Sequence, residues 1–170
     1  MGDGRWVGGV RREVLAELAP RLAPLLISNL DDMETSPRLM SLLSLNVLFK
    51  RLRGLWGPES LLQLYPPLVA RLDDTSDEVR IQACATLQSF CIAGSERGYY
   101  KGTMLTYILE QLFIHLDDPR GDIQRAVKAV LLCIGREIDR EGVVKKAQEQ
   151  RSCHRSPTMC DQVILELAEG

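Results

Sequence analysis

Three pairs of adjacent aspartates recur along this 170-residue chain. The pairs are Asp31-Asp32, Asp73-Asp74 and Asp117-Asp118. Paired carboxylates could ligate a divalent cation or exchange protons with a substrate. Each pair, however, follows an apolar segment and precedes a stretch of helical pattern. There a carboxylate accepts hydrogen bonds from free backbone N–H groups and meets the positive end of a helix dipole. We therefore interpret the pairs as structural caps, with a metal or acid–base site as the alternative.

The five cysteines carry the other candidate chemistry. Cys84 and Cys91 lie seven residues apart on one face of a predicted helix, which is typical of thiols packed in a core. Cys153, His154 and Cys160 resemble part of a metal site, but a structural zinc site needs four ligands and the only other histidine lies far away in the sequence. We expect no metal site. An odd cysteine count without a secretory signal indicates free thiols in a reducing compartment.

The sequence lacks the motifs of the common enzyme classes. It contains no G-x-S-x-G, no glycine-rich phosphate loop ending in Lys-Ser or Lys-Thr, and no H-E-x-x-H. A formal net charge of -2 provides no general attraction to nucleic acid or to acidic membranes. No apolar run approaches the about 18 residues of a membrane span. We therefore expect no catalytic site, no cofactor, no nucleic-acid partner and no membrane partner.

The aspartate pairs belong to a longer internal repeat. Residues 26–32, 68–74 and 112–118 resemble one another, with spacings of 42 and then 44 residues. Each copy is predicted to contain two helices joined by the Asp-Asp turn. In the second copy, Pro66 and Pro67 should kink or restart the first helix. Thr75 and Glu78 have the spacing of a capping box for the second helix. Gly135 should end the third copy.

One pair of short helices cannot bury its own apolar face, whereas stacked neighbouring pairs can. In the second copy Val79, Ala83, Leu87 and Phe90 form such a face at helical spacing. The sequence therefore predicts an all-α solenoid of about three helix pairs with irregular or capping ends. The predicted parts are an irregular N-terminus at 1–9, a solenoid at 10–135 with repeats at about 14–52, 60–91 and 103–134, and a helical cap or tail at 136–170.

The apolar helix, the aspartate and the pattern Val-Arg-x-x-Ala-x-x-x-Leu that starts at Val79 resemble the HEAT repeat. Residues 60–91 carry this resemblance best. The sequences of residues 64–74 and 115–119 also resemble the C-terminal part of the HEAT-repeat axonemal dynein assembly factors. The resemblance implies a non-catalytic cytoplasmic scaffold for the pre-assembly of axonemal dynein arms, with axonemal dynein chains and chaperones as partners. It also implies that this chain is a short form of a longer array.

In HEAT repeats, a basic residue at the positions of Arg38 and Arg80 pairs with the turn aspartate of a neighbouring repeat. The third copy has Gln124 at this position, so a ladder of such pairs should stop there. The alternative is that these residues contact a partner protein. Polar positions of the second helices lie off the main apolar stripe and are the candidate protein-binding residues. They are Arg38, Arg80, Gln82, Gln124 and Lys128.

Two other functions remain open at this point. The chain could be a generic HEAT or armadillo adaptor in transport or phosphatase scaffolding. It could also be an enzyme or metalloprotein that uses the aspartate pairs or the cluster around Cys153. His115, on the predicted first helix of its copy, is expected to be a half-exposed packing residue.

Overall fold

The computed structural model describes residues 11–169, so the predicted irregular segment 1–9 lies outside the described residues. This part of the chain is helical and contains no strand. The helices are α1 (Arg12–Ser28), α2 (Thr35–Arg51), α3 (Pro58–Ala70), α4 (Asp77–Ser95), α5 (Thr103–Leu116), α6 (Gly121–Glu137), α7 (Arg140–Gln150) and α8 (Pro157–Glu169). Short 3-10 turns, Asn29–Asp31 and Arg71–Asp73, follow α1 and α3.

The helices form four successive hairpins, in which short connections join antiparallel neighbours. The second helix of each hairpin packs against the second helices before and after it, so α2, α4, α6 and α8 form one layer. The first helices form the other layer and touch one another less. The predicted all-α solenoid is confirmed. The last hairpin, α7 with α8, occupies the region for which a helical cap or tail is predicted, and the division of the chain into repeats and cap stays a prediction.

One hydrophobic core runs through the stacked hairpins. Val79, Ala83, Leu87 and Phe90 on α4 are all buried, as their helical spacing predicts. The ring of Phe90 lies 5.4 Å from the ring of Phe49 on α2, edge to face. Because aromatic pairs in this geometry attract one another beyond simple burial, they help to hold adjacent hairpins together.

The second aspartate of each pair orders the turn between two helices. Its carboxylate accepts a hydrogen bond from the backbone N–H two residues later, at 2.8 or 2.9 Å. The second aspartates thus have a structural role in the turns, but they do not cap the helices as predicted, because α2, α4 and α6 have no side-chain cap at their N-termini. The capping box of Thr75 and Glu78 is wrong, because α4 begins at Asp77 and its N-cap residue Ser76 makes no side-chain cap. Asp74 orders this turn instead, through the backbone N–H of Ser76.

Two helix boundaries differ from the predicted ones. Helix α3 does not restart at Pro66 and Pro67 but runs through both residues. Helix α6 passes through Gly135 and ends at Glu137. A Cβ atom on Gly135 would lie 2.6 Å from the side chain of Leu167 on α8. Gly135 therefore allows α6 and α8 to approach closely, and the predicted role as a helix end is wrong.

Gly135→Ala should lower the free energy of unfolding by about 1–3 kcal/mol, because Leu167 is buried and an added methyl overpacks this contact. The helix propensity of alanine alone would act in the opposite direction. Urea unfolding followed by circular dichroism measures the change. Gly121→Ala is the control, since its Cβ would meet only the flexible end of Arg125 at 3.4 Å. A stabilising effect at Gly135 would contradict the close approach.

Candidate protein-binding surface

The candidate binding residues all lie in the layer of second helices. Arg38 is on α2, Arg80 and Gln82 are on α4, and Gln124 and Lys128 are on α6. Successive second helices contact one another more extensively than successive first helices do, and we call the layer that they form the inner layer. The structure therefore places all five candidates in one layer of helices, although it leaves their side chains in different environments.

Arg38 is buried, with 6% of its surface exposed, and it joins the first hairpin to the second. Its Nε and Nη2 atoms each donate to one carboxylate oxygen of Asp74, both at 2.9 Å. Its Nη1 donates to the carbonyl oxygens of Asp32 and Met33, at 2.8 and 3.0 Å. One guanidinium thus holds its own turn and the next turn at once. Such a bidentate pair fixes both distance and orientation.

Arg80 connects the second and third hairpins in a similar way, but only one of its nitrogens reaches the aspartate. Its Nε donates to the carbonyl oxygen of Leu72 at 2.8 Å, and its Nη2 donates to Asp118. A further contact, 3.4 Å long, joins Nη1 to Asp77. The predicted pairing of both arginines with the turn aspartate of the neighbouring repeat is confirmed.

A second set of contacts runs in the opposite direction along the stack. Arg71 donates to the carbonyl oxygen of Leu30 at 2.6 Å and pairs with Asp31 at 2.9 Å, both in the preceding turn. Nε2 of His115 lies 3.6 Å from Asp73, again one turn back. Sequence reasoning missed these contacts, although Arg71 and His115 both stand directly before a Leu-Asp-Asp sequence. The half-exposed position expected for His115 is wrong, because its side chain is buried.

Asp74 and Asp118, which pair with Arg38 and Arg80, stay ionised although burial disfavours a charged carboxylate. Burial by itself would raise the pKa of Asp74, but the hydrogen bonds from Arg38 and the Ser76 N–H and the nearby positive charges outweigh it and lower the pKa below its ordinary value. Asp118 shows the same balance, with burial opposed by Arg80 and the Arg120 N–H, and its pKa is also lowered. Each junction therefore joins two full charges.

The polar groups that connect neighbouring hairpins are different at the junction between α6 and α8. Gln124 takes the place of the ladder arginine, as the sequence predicts. Asp117 instead accepts the backbone N–H groups of Arg155 and Ser156, both at 3.1 Å. Four residues after Gln124, Lys128 reaches α8. Its Nζ lies 2.7 Å from Glu166 and 2.9 Å from Gln162.

Gln82, Gln124 and Lys128 are half-buried in the inner layer and take no part in the arginine–aspartate pairs between hairpins. Gln82 donates to the hydroxyl of Thr86 at 3.3 Å, Gln124 is half-buried, and Lys128 holds α8. Arg38 and Arg80 direct their charged groups into the stack. A role of these five residues in partner contact stays a prediction.

The cysteines are free thiols, as expected. Burial raises the pKa of the Cys84 thiol to about 12 and also raises the pKa of Cys91, which keeps both thiols protonated. Near the end of the chain, Sγ of Cys160 lies 3.4 Å from Nδ1 of His154, while Cys153 is exposed. Among residues 11–169, histidine, cysteine and acidic side chains nowhere gather in a group of three that could hold a metal ion.

No helix in the described part of the chain is both long enough and apolar enough to cross a bilayer. In comparisons with known proteins, no family model matches the chain. Over 154 residues it is 32% identical to human dynein axonemal assembly factor 5. The proteins of the same name from Xenopus laevis and Mus musculus are 36% identical over 157 residues and 31% identical over 150 residues.

These matches cover 87–91% of this chain but only 18% of each relative, so the chain spans less than a fifth of the length of the relatives it matches. The resemblance to axonemal dynein assembly factors that the sequence suggests is therefore confirmed. The fold resembles that of computationally designed armadillo repeat proteins. The TM-score is 0.53 at 19% identity, over 92% of this chain and 68% of the solved one. That likeness confirms the class of helical repeat solenoids.

Asp74→Ala should lower the free energy of unfolding by about 3 kcal/mol or more, because it leaves the buried charge of Arg38 without its partner. Chemical unfolding monitored by circular dichroism gives the value. Glu96→Ala is the matched control. It breaks an exposed pair with Arg53, 3.0 Å long, and should change stability by about 1 kcal/mol or less. Equal losses in the two variants would refute the structural role of the ladder.

Stability should also decrease as the pH falls below about 6.5, the ordinary pKa of histidine. Burial lowers the pKa of His115 in the folded chain, so near this pH the unfolded chain binds more protons than the folded chain. The stability present above pH 6.5 is then lost as the pH falls toward the folded pKa. Unfolding curves from about pH 7.5 to about 5.5 for the natural chain and His115→Gln test this. Parallel pH profiles would contradict it.

Proposed function

We propose that this chain is a non-catalytic protein-binding scaffold that acts in the cytoplasmic pre-assembly of axonemal dynein arms. The observation that carries the proposal is the 31–36% identity to dynein axonemal assembly factors of three vertebrates, extending over about nine-tenths of the chain. Identity at this level along the whole stack is more specific than the solenoid fold, which many unrelated functions share.

The inner layer of second helices is the proposed binding face. Ladder contacts at Asp74 and Asp118 fix each hairpin relative to the next, so the layer is held in shape before a partner arrives. Such preorganisation reduces the entropy lost on binding. Gln82 is the sixth residue of α4 and Gln124 is the fourth residue of α6, and both half-buried side chains offer amide donors and acceptors in this layer. Axonemal dynein chains and chaperones are the proposed partners.

The scaffold requires no bond-making chemistry. Its aspartates are engaged in turn and ladder contacts, and its buried thiols are protonated. Its proposed action is to hold partner proteins at a defined spacing set by the repeat. That spacing depends on the ladder geometry rather than on any single surface side chain.

Affinity purification of the tagged full chain from the cytoplasm of ciliating cells, with quantitative mass spectrometry, tests the proposal. We expect enrichment of axonemal dynein chains and chaperones. The double variant Gln82→Ala and Gln124→Ala should reduce that enrichment by at least about fivefold, as expected for polar residues in a binding interface.

The matched control makes the same change on the layer of first helices, with Gln63→Ala on α3 and Gln111→Ala on α5. It should leave dynein capture unchanged. Circular dichroism must show that both double variants fold. Enrichment of transport or phosphatase subunits without dynein chains would overturn the assembly role and identify a generic adaptor. Equal loss of capture in both variants would exclude the inner layer as the binding face.

A further inference from the structure

A cleft separates the first helices α5 and α7. Its volume is about 290 Å³, close to the lower end of the about 300–1,000 Å³ that ligand clefts occupy. Leu105, Thr106 and Leu109 of α5 form one wall, and the other wall is the face of α7 that carries Lys146 and Glu149. Both walls are helices that pack within the stack, so the cleft is a feature of a junction between two hairpins.

In the neighbouring gap, between α3 and α5, two tyrosine rings meet. The ring of Tyr65 on α3 lies 5.9 Å from the ring of Tyr107 on α5. With the repeat spacing of 44 residues, Tyr65 corresponds to Leu109, and Arg140–Gln150 of α7 contains no aromatic residue. Leu62 likewise corresponds to the smaller Thr106. The gap between α5 and α7 therefore lacks the side chains that occupy the preceding gap, and it stays open.

Part of the cleft lining is apolar. Leu105 and Leu109 are buried in the core and also line the cleft. A recess that combines apolar walls with a small number of polar groups is typical of a site that takes up a ligand or a side chain of another protein. The leucines therefore suit an aliphatic side chain.

Two lysines of α7 bring positive charge to the cleft. Lys145 is exposed and Lys146 is half-buried, and within residues 11–169 neither ammonium group forms a hydrogen bond or an ion pair. Lys128, which is also half-buried, has two acceptors, Glu166 and Gln162. Partial burial of a charge costs free energy unless acceptors or an opposite charge compensate it. Lys146 therefore offers the cleft a charge that this part of the chain leaves uncompensated.

Two carboxylates also line the cleft, and neither pairs with the lysines. Asp139 is the N-cap residue of α7, and its side chain accepts the Gly142 N–H at 2.9 Å. Glu149 lies one helical turn beyond the lysines and forms no ion pair within the described residues. The lysines are thus open to a carboxylate from another protein, and Glu149 should oppose the binding of that carboxylate.

We propose that the cleft between α5 and α7 binds an acidic segment of a partner protein. An aliphatic side chain of this segment lies against Leu105 and Leu109, and a neighbouring carboxylate pairs with Lys145 and Lys146. The cleft belongs to the layer of first helices, so it is separate from the binding face on the inner layer and adds a second contact surface to the scaffold.

The lining favours an acidic peptide over a nucleic acid. Single strands bind by stacking their bases on aromatic side chains, and within residues 11–169 no aromatic ring lines this cleft. The two leucines instead match the aliphatic side chains that a peptide carries next to its carboxylates.

A fluorescein-labelled peptide of the sequence Gly-Glu-Leu-Glu-Glu-Leu-Glu-Gly is the probe, and fluorescence anisotropy with the full chain measures its affinity. We expect saturable binding with a Kd below about 1 mM. The same peptide with lysine in place of each glutamate should bind at least about tenfold more weakly, because its charges repel Lys145 and Lys146. Added salt should weaken the binding of the acidic peptide.

Charge variants test the role of the lysines. The double change Lys145→Gln and Lys146→Gln should weaken binding of the acidic peptide by at least about tenfold. Lys50→Gln on α2 is the charge-matched control and should leave binding unchanged. Glu149→Gln should strengthen binding by about two- to fivefold, because it removes a like charge from the cleft.

A bulky residue tests the position of the peptide. Thr106 is exposed, so Thr106→Tyr should leave the fold intact while its ring occupies part of the cleft and weakens binding at least about fivefold. Thr103→Tyr is the matched control, since Thr103 is also exposed on α5 but does not line the cleft. The double change Gln82→Ala and Gln124→Ala in the inner layer should have no effect on this peptide.

Three outcomes would overturn the proposal. One is the absence of saturable binding of the acidic peptide. Another is equally tight binding of the lysine peptide or of a thymidine oligonucleotide, because the cleft would then not select acidic peptides. The last is an affinity that Lys145→Gln with Lys146→Gln changes no more than Lys50→Gln does, or that the inner-layer double variant lowers equally.

Discussion

The contact on which this stack depends is the bidentate pair between a buried arginine of one hairpin and the turn aspartate of the next. Apolar attraction itself has no direction, so directional polar contacts add to side-chain packing in fixing the angle and offset between hairpins. The Arg38–Asp74 pair supplies direction, since two parallel hydrogen bonds restrict both distance and rotation. Carbonyl contacts to Asp32 and Met33 anchor the same guanidinium in its own turn. One side chain therefore sets the geometry of a repeat step.

The reverse contacts of Arg71 and His115 make each junction two-sided. At these junctions, polar side chains of each hairpin reach the turn of the other. Because all these groups lie at the turns between helices, the helix surfaces themselves stay available for packing and for partners. The turns of the stack therefore carry polar contacts that connect neighbouring hairpins in both directions.

The two ends of the described stack differ in the same terms. In the first turn, Asp32 accepts the Glu34 N–H, and within residues 11–169 no arginine pairs with it. At the other end, Gln124 replaces the ladder arginine, and backbone N–H groups satisfy Asp117. Lys128 and its contacts to α8 close this last junction. The described junctions therefore differ in the polar groups that connect neighbouring hairpins.

The sequence alone determined the features that depend on local spacing. The repeat period, the Asp-Asp turns and the apolar stripe from Val79 to Phe90 follow from residues within one or two helical turns of each other. The pairing of Arg38 and Arg80 followed from the resemblance to HEAT repeats. Tertiary structure decided what depends on residues about forty positions apart, such as the contact of Arg71 with Leu30. It also decided that Gly135 is a point of close helix approach and that His115 is buried, because only the packing of a neighbouring hairpin determines what surrounds each of them.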